Sequence, residues 1–128
     1  MAQIVGIGLD LVEVDRIQKL LKAHPERFLD RIFTPGEQQY CAPRVRAAES
    51  YAGRFALKEA VMKVLGTGWG EGIRFRDIEA VKVASGAVEA CLHGRAAEIA
   101  GELGIGKIHV SITHLAGMAA AVAVGEKE

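Results

Sequence analysis

The sequence has no excess of one charge: Lys plus Arg and Asp plus Glu each number 16. That balance excludes an overall field favouring nucleic acid or an anionic membrane, so any charged partner has to be met by a local patch. Cysteine is scarce as well. Cys41 and Cys91 stand far apart, with no C-x-x-C pair and no neighbouring histidine-rich cluster. This argues against zinc and for reduced, partly buried thiols. Long apolar runs are missing too. The opening, Met1 to Val14, is apolar but broken by Asp10 and Glu13 and has no basic leader. It therefore reads as neither a signal peptide nor a membrane span, and a cytoplasmic protein is expected. No internal repeat, low-complexity tract or linker interrupts the chain.

What is present suits one folded unit. Of the 128 residues, 50% are hydrophobic and 25% charged, the balance of a globular domain able to bury a core. A single domain over 1–128 is expected. Gln3 to Leu9 reads as a short strand ending at Asp10. From Glu13 the apolar spacing becomes helical, through Ile17, Leu20 and Leu21, until Pro25 stops that helix and starts a second piece carrying Phe28, Leu29 and Ile32. Thr34-Pro35-Gly36-Glu37 is a helix start with a capping box. A longer helix runs roughly from Arg46 to Leu65, with Tyr51, Phe55, Met62 and Leu65 in its apolar stripe, and ends in Gly66-Thr67-Gly68.

The period then falls to two. Ile73 with Phe75, Val81 with Val83, and Val88, Ala90 and Leu92 read as antiparallel strands, with a turn at Ser85-Gly86. Arg95 to Leu103 returns to helix, stopped by Gly104. Ile108, Val110 and Ile112 alternate with polar residues, and Leu115 to Gly117 turns the chain into Met118 to Val124 as a terminal hairpin. The last four residues are expected to fray. Strands and helices are grouped rather than strictly alternated, which predicts an α+β fold with a long helix packed on a mostly antiparallel sheet.

Several side chains invite chemistry. Glu59, amid Phe55, Ala56, Ala60 and Met62, loses hydration unless something compensates it. One answer is an i, i+4 ion pair with Lys63. The other is that Glu59 and Asp10 offer two oxygen ligands to Mg2+, which accepts one or two carboxylates and fills its remaining positions with water and phosphate oxygens. Asp10 alone could equally cap the following helix or lie on the surface after a strand. The glycines from Gly66 onward let backbone amides approach a phosphate, or simply stop a helix. Because the loop follows a helix C-terminus, whose dipole repels anions, Lys63 and a metal would have to supply most of the positive charge. His114 ends an alternating strand and could be an ordinary core histidine. Arg16, Arg27, Phe28 and Arg31 lie on the early helical region, where a solvated charged face is the default.

Three patterns occur together: Gly6-Ile7-Gly8-Leu9-Asp10-Leu11-Val12 running on to Arg16, Gly53-Arg54-Phe55-Ala56-Leu57-Lys58-Glu59-Ala60 running on to Lys63 and Gly66-Thr67-Gly68, and Ser111-Ile112-Thr113-His114. In this order and at this length they resemble the acyl-carrier-protein synthase family of phosphopantetheinyl transferases, from about Ile4 to Val124. The resemblance implies transfer of 4'-phosphopantetheine from coenzyme A to a serine of an apo acyl carrier protein, in support of fatty acid biosynthesis. It implies Asp10 and Glu59 as Mg2+ ligands, with Lys63 near the pyrophosphate as the third catalytic residue. Lys63, Arg54, Gly66, Thr67, Gly68 and His114 would bind coenzyme A. Arg16, Arg27, Phe28 and Arg31 would dock an acidic carrier protein, and the protein would be a homotrimer with sites at subunit interfaces. The rival reading is a coenzyme A or nucleotide-binding module without transfer activity, which would keep the loop and Lys63 but need no metal carboxylates.

Overall fold

A computed structural model describes residues 3–66 and 72–127. In chain order it contains β1 (Gln3–Glu13), α1 (Val14–Ala23), α2 (Pro25–Ile32), α3 (Pro35–Cys41), α4 (Ala47–Leu65), β2 (Ile78–Lys82), β3 (Val88–Leu92), α5 (Gly94–Glu102), β4 (Lys107–Leu115) and β5 (Met118–Lys127). Two antiparallel sheets form, one ordered β1-β5-β4 and the other the hairpin β2-β3. The expected α+β architecture is what the chain adopts, with α4 lying on the larger sheet.

The local reasons are legible. Thr34 accepts from the Glu37 amide while the Glu37 carboxylate accepts from the Thr34 amide, so the expected capping box starts α3. Gly66, at φ 72°, ends α4 in the left-handed conformation that glycine tolerates best. The helix α4 is buried on nearly all sides rather than along one stripe. The sheet covers one side, and α3, β2 and the 3-10 turn Phe75–Asp77 cover another. A helix enclosed in this way carries its charged residues into the interior, which decides what Arg54 and Lys58 can do.

Four expectations are corrected. Asp10 does not end a strand: β1 runs on to Glu13, each residue of Gly6 to Glu13 paired with β5. Neither does Asp10 cap α1, whose N-cap is Glu13 and has no side-chain cap bond. Ile73 to Phe75 is not a strand, because Asp77 accepts from the Arg74 amide and closes a 3-10 turn that stacks Phe75 on Phe55 at 5.4 Å between ring centres. The C-terminus does not fray at Gly125, since β5 continues to Glu126 against β4 and to Lys127 against β1.

Candidate active site

β1 and α4 build the candidate site by unusually close backbone approach. Gly6, Gly8 and Asp10 share the inner face of β1, because strand side chains alternate. A Cβ on Gly8 would stand 1.8 Å from the Ala60 carbonyl oxygen, and one on Gly6 would stand 2.9 Å from that of Val64. Only glycine allows this seating. The next residue on that face is Asp10, so the same approach sets its carboxylate against the turn of α4 that carries Glu59 and Lys63.

Lys63 turns toward the strand. Its Nζ donates to the Leu9 carbonyl at 2.6 Å and to Asp10 Oδ1 at 3.3 Å. The i, i+4 pair between Glu59 and Lys63 does not form. Glu59 is half-buried and makes no hydrogen bond or ion pair among the described residues. Burial and the neighbouring Asp10 charge push its carboxyl above the usual range, against the pull of Lys63 and Arg16. Two carboxylates are thus crowded together with one lysine between them. No group of three or more His, Cys, Asp or Glu side chains capable of holding a metal occurs among the described residues. Two carboxylates nevertheless fit Mg2+, whose other positions are met by water and phosphate oxygens.

His114 and Arg54 lie elsewhere around α4. His114 projects from β4 to the inner face of the sheet and donates from Nε2 to the Glu49 carbonyl at 2.9 Å; the tautomer follows because a carbonyl can only accept. A Cβ on Gly53 would come within 3.0 Å of that nitrogen, so Gly53 is the space His114 occupies. About 15 Å of helix axis separates Glu49 from Glu59. His114 therefore sits at the opposite end of α4 from the carboxylate pair, beside a cleft of about 870 Å³ lined by Arg44, Arg46, Ser50 and Leu115 among others.

Arg54 lies roughly half a helical turn around from Lys63. It is 6% exposed, and its guanidinium stacks 4.3 Å from the centre of the Tyr40 ring, with no ion pair among the described residues. Lys82 donates to the Tyr40 hydroxyl at 3.0 Å, and Arg44 lies over the same ring. Burial alone would raise the Tyr40 phenol, but the Lys82 hydrogen bond and the three cations outweigh it and leave it below its ordinary value. Gly66 caps α4 and is exposed, whereas Thr67 and Gly68 lie outside the described residues.

Of the residues expected to dock a carrier, Arg16, Arg27 and Arg31 are exposed, with Arg16 also 5.8 Å over the Phe55 ring. Phe28 differs from them: it is buried and packs edge-on against Phe33 at 5.8 Å, because α2 turns its apolar side inward with Ile32.

Sequence reasoning passed over the charge buried beneath these groups. Lys58 and Glu37 are both fully enclosed and pair at 2.7 Å. Lys58 Nζ also donates to the carbonyls of Phe75 and Ile78, and Glu37 Oε2 accepts from the Ala80 amide at 2.8 Å. The capping box pointed to Glu37, but its second oxygen had no visible partner in the sequence.

Comparison with known proteins agrees with this geometry. The chain is 48% identical over 126 residues to a holo-[acyl-carrier-protein] synthase of Anaeromyxobacter sp. (strain K), covering 96% of each chain. It is 47% identical over 115 residues to that of Solibacter usitatus, covering 90% of this chain and 92% of the relative. Among solved structures, the holo-[acyl-carrier-protein] synthase of Neisseria meningitidis superposes with TM-score 0.88 at 34% identity, over 98% of this chain and all of that one. That of Helicobacter pylori in complex with coenzyme A gives 0.82 at 37%, over 93% and 98%. A family model described as 4'-phosphopantetheinyl transferase superfamily matches residues 6–123. The chain belongs to the 4'-phosphopantetheinyl transferase superfamily.

Proposed function

We propose that this protein transfers the 4'-phosphopantetheine group of coenzyme A to a serine of an apo acyl carrier protein, releasing adenosine 3',5'-bisphosphate, in support of fatty acid biosynthesis. The observation that carries the reading is the seating of glycine-lined β1 on α4, which brings Asp10 to Glu59 and Lys63 in a chain that matches holo-[acyl-carrier-protein] synthases over nearly its whole length. In the reaction the serine oxygen bonds to the β-phosphorus while the bond from that phosphorus to the bridging pyrophosphate oxygen breaks. The adenosine bisphosphate leaves with the bridging oxygen.

Asp10 and Glu59 would hold Mg2+. Bound there, the ion supplies charge neutralisation and alignment of the pyrophosphate. Lys63, an exposed ammonium on the same turn, is placed to move from Asp10 to the anionic substrate and stabilise charge on the pyrophosphate. Arg54 would take a phosphate that the carboxylate pair does not, since it lies on the far side of α4. That arrangement needs a second subunit to bring the two faces to one substrate, and the reading includes a homotrimer. Its support is the outer face of the larger sheet, where Ile7, Leu9 and Leu11 are each 63% exposed beside Val122 and Val124. A contiguous apolar strip of this kind on a sheet face favours association. Arg16, Arg27 and Arg31 supply a basic face for an acidic carrier, setting orientation and encounter rate.

No helix among the described residues is long and apolar enough to cross a membrane, and both thiols are free. The cytoplasm is the compartment this reading assigns.

The test is intact-mass analysis of an apo carrier protein incubated with this protein, coenzyme A and Mg2+. A phosphopantetheine mass gain is expected with the wild type and loss of at least about a hundredfold in rate with Asp10→Asn or Glu59→Gln, since each removes an anionic ligand from a hard cation. No mass gain from the folded wild type would leave the binding-module reading in its place. Light scattering reads the trimer directly, and a stable, fully active monomer would refute it.

A further inference from the structure

Beneath Arg54 the three elements that form its cleft repeat one pattern. On α3, Glu37 and Tyr40 are a turn apart on one face. On α4, Lys58 and Arg54 are again a turn apart, and on β2 Ala80 and Lys82 alternate onto one side. The lower member of each couple enters the buried ion-pair network, and the upper member lines a cleft of about 210 Å³ with Gly36, Glu79 and Val81. The network saturates its charges: Lys58 uses its three donors on Glu37, Phe75 and Ile78, while Glu37 accepts from Thr34, Lys58 and Ala80. It therefore fixes α3, α4 and β2 relative to one another at the floor of the cleft. Arg54, buried and without a carboxylate partner among the described residues, has only the Tyr40 ring to orient it, and Tyr40 is held in turn by Lys82.

We propose that the Glu37–Lys58 ion pair is a positioning device for Arg54: by locking the three walls of the cleft it sets where the guanidinium meets a phosphate of the donor, without touching substrate itself. The inference rests on the reading of Arg54 as a coenzyme A contact. Its physical motive is that a planar, bidentate donor gains phosphate affinity only when its orientation is fixed beforehand. A neutral core of similar volume would give comparable stability, so stability alone does not account for an ion pair here.

The experiment separates positioning from mere support. The double variant Glu37→Gln/Lys58→Met removes both charges together, which spares the fold the stranded charge left by either single change. With folding confirmed by circular dichroism and thermal unfolding, it is expected to raise KM for coenzyme A by about tenfold while kcat at saturation stays within about twofold, because donor binding rather than the reacting atoms is disturbed. In an Arg54→Ala background the same double change should add little further to KM, since its effect passes through Arg54. Should the double variant not fold, Glu37→Asp, which retains both charges on a shorter arm, carries the same expectation at smaller size.

An unchanged KM in a folded variant overturns the proposal, and so does a KM increase that multiplies fully with that of Arg54→Ala. If Arg54→Ala alone leaves KM for coenzyme A unchanged, the coenzyme A reading of Arg54 fails instead, and the two failures are told apart.

Discussion

Lys58 and Glu59 are neighbours on one helix and have opposite fates. The Lys58 ammonium is wholly buried yet meets a carboxylate and two carbonyls. The Glu59 carboxylate is only half-buried and makes no hydrogen bond or ion pair among the described residues; burial and the repulsion of Asp10 outweigh the pull of Arg16 and of a lysine engaged elsewhere. A charge answered on every side holds structure together. A charge left unanswered in a fixed position is available to a ligand, and perturbed carboxylates of this kind gather at functional sites. The two sides of α4 thus treat charge differently, the Glu37–Lys58 pair on the α3 and β2 side fixing the helix and the β1 side leaving a carboxylate open to a ligand.

The strongest way to break this contrast is to strand a charge on the answered side. Lys58→Met leaves the buried Glu37 carboxyl with its cation gone, and a loss of about 3–5 kcal/mol in unfolding free energy is expected. The midpoint of denaturant unfolding should fall with little change in slope. A loss below about 1 kcal/mol would mean that the pair is not holding the three elements together.

The next largest effect tests the seating of β1. Gly8→Ala puts a methyl 1.8 Å from the Ala60 carbonyl oxygen, a backbone atom that cannot swing aside, so a loss of about 3 kcal/mol or more is expected. Transfer should fall further than stability, because Asp10 moves with the strand. Gly101→Ala in α5 is the control. A Cβ there meets nothing within 4 Å, and the change should be neutral or stabilising by up to about 1 kcal/mol. Equal effects at the two positions would show that close approach is not what Gly8 provides.

Much of this was legible in the sequence where the cause is local. The capping box at Thr34, the stop at Gly66, the Ser85-Gly86 turn and the helical spacing of α4 each depend on a few adjacent residues, and each appears where expected. The expected helix from Arg46 to Leu65 begins at Ala47, with Arg46 as its N-cap. What escaped depends on partners distant in sequence. Phe75 follows a period of two but is drawn into a turn by Asp77 and Phe55. Phe28 sits among arginines yet packs on Phe33. The Glu37 to Lys58 pair joins two helices that no local pattern relates. For the site, Gly6, Gly8 and Asp10 at alternate positions were visible as a motif, but the reason for the glycines, a helix backbone lying against them, needed the fold.

The smallest expected effect is also the sharpest contrast with Lys58. If Glu59 is unanswered in the absence of metal, neutralising it should not cost stability. The folded-state carboxyl is held above its ordinary value of 4.5, so the folded protein binds that proton more tightly than the unfolded chain does. Stability from this group is therefore present when it is protonated and is lost as pH rises from about 4.5 through the raised folded value. At pH 7 the charge is a burden on the fold. With a chelator present, Glu59→Gln should match or exceed the wild type at pH 7 by no more than about 1 kcal/mol, a size limited by its partial exposure. That advantage should shrink as pH falls toward 4.5. Thermal unfolding of the two proteins at several pH values measures it. A variant less stable than the wild type at pH 7 would restore the ion pair with Lys63 as the role of Glu59, and the division between the two sides of α4 would no longer hold.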